Sequence, residues 1–297
     1  MGRPRVVDSH VHLWDLKHPE LRWDWLGRDT VHPILGDIDA IKSVKFDAAA
    51  LWSEARFADV SAFVHVQAAI GSPDPVAETQ WIDEQFAASG LRGAIIAHAD
   101  VGEPSLVKVL DGHAEASGIF TGVRDFASEP YLAQAELDSR YEDGLRELTR
   151  RELVLDLDCE WPNMDAAARL AGRHPDLRIV LEHLGYPRER NGAYFRSWAA
   201  ALGRLAGADN VFCKISGIAM TDRRFTFGRL APWAERCLEV FGPERCLVGS
   251  NWPVDRIASS YDVIMDFYRD TISGLSSSEQ AKILAENAES VYGLVEP

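Results

Sequence analysis

The pattern that most restricts this chain is an alternation of short apolar runs with longer stretches of helical periodicity, repeated eight times between residues 6 and 272. Strand-like runs fall at 6–15, 60–69, 91–100, 119–124, 153–158, 178–185, 211–216 and 245–250. Helix-like stretches follow them at 46–57, 75–89, 105–116, 132–151, 164–173, 193–206, 232–241 and 262–272. Most of the runs are continuously apolar, as parallel strands buried on both faces should be. Eight strands, each followed by a helix, are the count of an α/β (β/α)8 TIM barrel rather than of an open sheet. The 297 residues suit one such barrel or two average domains, and no linker divides them, so a single domain over 1–297 is expected. Ser276 and Glu279 fit a capping box that opens a last helix to about 288, expected to seal one barrel end.

Charge narrows the partners. Lys and Arg number 31 against 46 Asp and Glu, a net charge of −15 that opposes adsorption to nucleic acid or an anionic membrane surface. No signal-peptide core precedes the first strand and no apolar run nears the ~20 residues that span a bilayer, so a cytoplasmic location is expected. Cys159, Cys213, Cys237 and Cys246 form no close pair in sequence and read as small buried hydrophobes. The expected partner is a small-molecule substrate, and homo-oligomerisation is left open.

In a barrel of this kind the active site lies where the strands end. The polar residues there are His10 and His12, Gln67, His98, Arg124 and Asp125, then Asp156, Asp158 and Glu160. Glu182, His183, Lys214, Ser216, Asn251 and Asp255 complete the set. His10 and His12 are two apart on a strand, so they share a face with Asp8 and can bind a metal or polarise a carbonyl oxygen together. Strict alternation would turn Glu182 away from His183, outward toward the helices. Between the first strand and the first helix runs a long polar and aromatic loop, 16–39, expected to act as a lid. Trp14, Trp23 and Trp25 are candidates for a pocket wall or for packing that loop onto the body.

Several segments resemble the lactonase-type branch of the amidohydrolase superfamily. They are Asp8-Ser9-His10-Val11-His12-Leu13-Trp14-Asp15, Gly122-Val123-Arg124, Glu182-His183-Leu184-Gly185, Cys213-Lys214-Ile215-Ser216-Gly217 and Gly249-Ser250-Asn251-Trp252-Pro253-Val254, with Asn287-Ala288-Glu289-Ser290-Val291-Tyr292 at the end. The resemblance implies that His10, His12 and His183 meet the substrate carbonyl directly or hold one divalent ion, such as zinc, that polarises it. It implies substrate contacts from Arg124, which would grip an anionic group. Gln67, Lys214, Trp14, Trp25 and Asn251 are the further candidates for substrate binding.

One position departs from the branch. Asn251 stands where an aspartate is usual, and an amide neither accepts a proton near neutrality nor matches a carboxylate as a ligand. Another group must then activate water; Asp255 is nearest in sequence, with Glu182 and Asp158 as rivals. The expected activity is opening of a small polar lactone, derived from a sugar acid or an aromatic catabolite, by water attack on the ring carbonyl, with or without the metal. The alternatives are a metal-dependent decarboxylase or C–C hydrolase of an aromatic acid, and a catalytically silent ligand-binding barrel.

Overall fold

Every apolar run becomes a parallel strand in the computed structural model, which describes residues 4–134 and 138–294. The strands are β1 (Val6–Val11), β2 (Val60–Val66), β3 (Gly93–His98), β4 (Phe120–Arg124), β5 (Val154–Leu157), β6 (Ile179–Leu181), β7 (Val211–Ile215) and β8 (Cys246–Val248). They form one eight-stranded sheet in sequence order. The seam between its first and last strands is bridged by Val11 and Trp252, with His12 N–H donating to Trp252 O at 2.8 Å. Ser9 Oγ donates to Val248 O across the same seam at 2.8 Å. The fold is the single (β/α)8 barrel that the alternation implies.

Register sets which side chains meet. His98 pairs with Arg124 and Arg124 with Asp156, so the ends of β3, β4 and β5 stand level at one rim. Amphipathic helices cover the outside. The expected 46–57 helix is found as Ala48–Ala55, started by Asp47, whose carboxylate accepts from Ala50 N–H at 2.9 Å. The expected 132–151 helix is found as Ser139–Arg150 after a short turn, Ser128–Leu132; residues 135–137 of that span lie outside the described ones. The expected 232–241 helix begins earlier, as Phe227–Phe241, and tolerates Pro232 near its start. No helix of the described residues is long and apolar enough to cross a membrane.

The C-terminal segment seals the end of the barrel opposite the strand ends. Its capping box forms as the sequence predicts, Ser276 Oγ accepting from Glu279 N–H. Ala285, Ala288, Val291 and Tyr292 then pack with Val7, Val64, Ile96, Val154, Val180 and Leu247. Tyr292 reaches up the barrel axis, its hydroxyl donating to Asp156 Oδ1 at 2.9 Å. At the other end the 16–44 loop folds back across the mouth, anchored by a two-stranded ribbon of Trp14–Asp15 and Lys45–Phe46. Arg223, from the loop after β7, donates to Leu35 O and Asp37 O and so clasps that lid from the far side.

Candidate active site

The rim of the barrel gathers residues that are far apart in sequence. His10 Nε2 and His12 Nε2 stand 3.0 Å apart, and the His10 and His183 rings lie with centroids 4.4 Å apart. His12 Nδ1–H donates to Val66 O at 2.8 Å, which fixes that ring and leaves Nε2 as its lone-pair face. His183 Nδ1 is 2.8 Å from Ser216 Oγ, leaving its Nε2 free. All three imidazoles are buried, and burial lowers their pKa: well below the usual value for His10 and His12, and to about 3 for His183. They are neutral at physiological pH, the form that ligates a cation or shares one proton.

Glu182 overturns the outward orientation that alternation suggests. β6 stops at Leu181, and His183 and Leu184 take left-handed backbone angles with φ of 50° and 58°. That turn breaks the two-residue period and sends both Glu182 and His183 inward. Glu182 Oε2 accepts from Arg124 Nη1 and from the Tyr186 hydroxyl, each at 3.0 Å. Its other oxygen, Oε1, lies 3.4 Å from His10 Nδ1 and has no hydrogen-bond partner among the described residues. Burial alone would raise the pKa of this carboxyl; Arg124, His183 and Lys214 outweigh that and hold it below the usual range.

The same close packing explains a glycine. Gly217 has φ of +56°, and a Cβ there would lie 2.6 Å from His183 Nδ1. A residue with a side chain would be strained and would push the histidine off Ser216.

Lys214 corrects a second expectation. It is fully buried beneath the histidines, ion-paired with Asp156, 4.0 Å from Glu182 Oε1 and 3.5 Å from His10 Nδ1. It lies beneath the pocket floor and is absent from the lining. Trp14 is likewise buried, its indole N–H on Ser43 O at 2.9 Å, and it supports Trp25, which does reach the pocket. His98, at the edge of the rim, points toward Asp100 at 3.6 Å and is also absent from the lining.

Asp255 does not touch the pocket either. It is fully buried behind Asn251 and accepts from Asn251 Nδ2 at 2.9 Å, so the amide turns its oxygen to the cavity. Burial pushes the Asp255 carboxyl up to about 7. The carboxylate that does face the cavity is Asp158, which has no hydrogen bond among the described residues. Its pKa is pushed to about 7, by burial first and then by the nearby charge of Glu182.

The pocket itself encloses about 570 Å³ including its open mouth. Its floor is polar, with His12, Gln67, Arg124, Asp158, His183, Tyr186 and Asn251. Its wall toward the lid is apolar, with Trp25, Ile34, Leu35, Ile70, Phe126 and Met220. The wall is held in place by the backbone after β2: Glu78 Oε1 accepts from Ala68 N–H and Ala69 N–H at 2.7 and 3.0 Å, and Trp25 Nε1 donates to Ala68 O at 2.9 Å. Tyr186, Phe126 and Met220 are lining residues that sequence reasoning missed. For Tyr186 a signal existed, since Gly185 after the His183-Leu184 pair marks a turn that carries the next side chain back over the site.

One constellation could hold a metal. Ligand atoms of His10, Glu182 and His183 lie within 4.8 Å of one another, and the unpartnered Glu182 oxygen faces the histidines. The donor set of two imidazoles and one carboxylate suits a borderline divalent ion. It shares His10 and His183 with the expected trio, and His12 stands beside it, Nε2 to Nε2 of His10 at 3.0 Å.

Residues 7–294 match the family described as Amidohydrolase. The chain is 30% identical to the uncharacterized protein y4mH of Sinorhizobium fredii over 97% of its own length and 98% of that protein's. It is 28% identical to an L-fucono-1,5-lactonase of Burkholderia multivorans, covering 100% of this chain and 98% of the relative. Among solved structures, an amidohydrolase of Burkholderia multivorans with bound zinc superposes with a TM-score of 0.81 at 24% identity, over 98% of this chain and 100% of the other.

Proposed function

The chain belongs to the amidohydrolase family, and on that premise we propose that it opens a small lactone by adding water to the ring carbonyl carbon. The observation that carries the reading is His183 on the pocket floor, neutral and held by Ser216, with an unpartnered carboxylate oxygen of Glu182 buried behind the histidines. The lactonase name of a full-length relative supports the same class of reaction.

The lactone carbonyl would sit over His12 and His183. When Ser216 donates to His183 Nδ1, Nε2 carries the proton and can donate to the carbonyl oxygen as negative charge develops there. When Ser216 instead accepts from Nδ1, Nε2 presents a lone pair suited to a cation shared with His10 and Glu182. Zinc or a similar ion held by that trio would supply Lewis-acid polarisation of the carbonyl. Asp158 takes a proton from the attacking water, whose oxygen bonds to the carbonyl carbon. The ring C–O bond then breaks, and Asp158 returns its proton to the departing alkoxide, giving a hydroxy acid. Asn251, oriented by Asp255, offers its amide oxygen as an acceptor for the incoming water.

Initial rates on a panel of five- and six-membered lactones, followed by acid release, test the proposal. His183→Ala should lower kcat/KM by roughly 10²–10³-fold with the circular dichroism spectrum unchanged. Equal activity in the variant would remove its assigned role, and turnover of no lactone by the wild type would favour the silent barrel.

A further inference from the structure

The two halves of the pocket specify what kind of lactone fits. A carboxylate on a substrate is usually held by the two parallel N–H groups of an arginine fork. Two of the five N–H groups of Arg124 are engaged inside the protein, Nη1 donating to Glu182 Oε2 at 3.0 Å and Nη2 to Gln67 O at 2.6 Å. Arg124 Nε and Gln67 Nε2 make no hydrogen bond among the described residues, and both atoms are buried away from the cavity surface. Lys214 is spent on Asp156 below the floor, while Asp158 faces the cavity and would repel a second anion.

The opposite wall is mostly apolar; His32, whose Nδ1 accepts from Ile34 N–H and Leu35 N–H, is its polar exception. Ile34 and Leu35 come from the lid, Ile70 follows β2, Phe126 follows β4, and Met220 and Val254 follow β7 and β8. Ile70 and Phe126 remain 41% and 37% exposed, apolar surface at the mouth with no protein over it. Apolar area of this kind is what a hydrocarbon group removes from water, whereas a hydroxyl placed there loses its hydration without replacement.

We infer that the substrate is a lactone bearing a hydrocarbon or aromatic substituent, which packs against the lid wall while the carbonyl lies over His12 and His183. The inference rests on the lactone-hydrolase reading and narrows it away from polyhydroxylated substrates, including the small polar lactone expected from the sequence. Its test compares kcat/KM for three six-membered lactones: one with an alkyl chain, one with hydroxyls on every ring carbon, and a carboxylated pyrone. The alkyl lactone should lead by about tenfold or more, the discrimination a few methylene contacts provide. Ile70→Asn should reduce that lead several-fold. A preference for the hydroxylated or the carboxylated compound, or a lead that Ile70→Asn leaves intact, would overturn the inference while the hydrolase reading stands. Turnover of none of the three, nor of the wider panel, would overturn both.

Discussion

Replacing Asp158 with asparagine should remove a titration that the wild-type enzyme displays. Asp158 faces the cavity, makes no hydrogen bond among the described residues, and has its carboxyl pushed to about 7 by burial and by Glu182. The ionised form is the base, so activity should be full above pH 7 and fall tenfold per unit below it. At pH 5 roughly one carboxyl in a hundred is ionised, and kcat/KM should be about 1% of its plateau. Asp158→Asn keeps the size of the side chain but accepts no proton near neutrality, so the plateau should drop by roughly 10²–10⁴-fold and the inflection near 7 should vanish. The assay is a pH-stat measurement of initial rates at low lactone concentration from pH 5 to 9, corrected for spontaneous hydrolysis. A variant that keeps the inflection at the wild-type position would refute the assignment and return the role to Asp255, whose carboxyl titrates in the same range from behind Asn251.

Other consequences concern the support beneath the site. Lys214→Met strands Asp156 without its buried cation, and should cost roughly 3–5 kcal/mol, read as a fall in Tm of about 6–20 °C. Gly217→Ala introduces a Cβ 2.6 Å from His183 Nδ1 at a positive φ, and should lower kcat at least tenfold while leaving the secondary structure intact by circular dichroism. Asp255 has its folded-state pKa raised from 3.8 to about 7, so the folded protein holds that proton more tightly than the unfolded chain. The resulting stability is present below about pH 4 and is lost as pH rises through 7; Asp255→Asn should flatten that part of a denaturant-midpoint profile.

The barrel was legible because its evidence is periodic: eight apolar runs, each with a helix behind it, leave few other architectures. The paired histidines of β1 were legible for the same reason, since alternation on a strand is reliable while the strand lasts. Where a strand ends early, that reasoning fails. The left-handed backbone at His183 and Leu184 reverses Glu182 and makes it the hub of Arg124, Tyr186 and His10, and no local propensity announces such a turn beyond Gly185. Depth along a strand was equally hidden. Lys214 and Asp156 sit below the pocket because their strands pair in a register that sequence does not state. The cysteines show the same limit: Cys213 and Cys246 are register partners on β7 and β8, and Cys246 Sγ lies 3.7 Å from Cys237 O, although nothing in their spacing brings them together. The apolar wall was hidden because its residues come one at a time from separate loops after five different strands.

The central claim is that water adds to a lactone carbonyl over His12, His183 and Asp158. The most direct measurement is ring opening in ¹⁸O-labelled water, with the product analysed by mass spectrometry and fragmentation. The account predicts a single ¹⁸O, located in the new carboxyl group, with turnover lost in His183→Ala. Label in the new hydroxyl group would contradict it, because that places attack on the alkyl carbon and leaves the carbonyl-binding floor without a role.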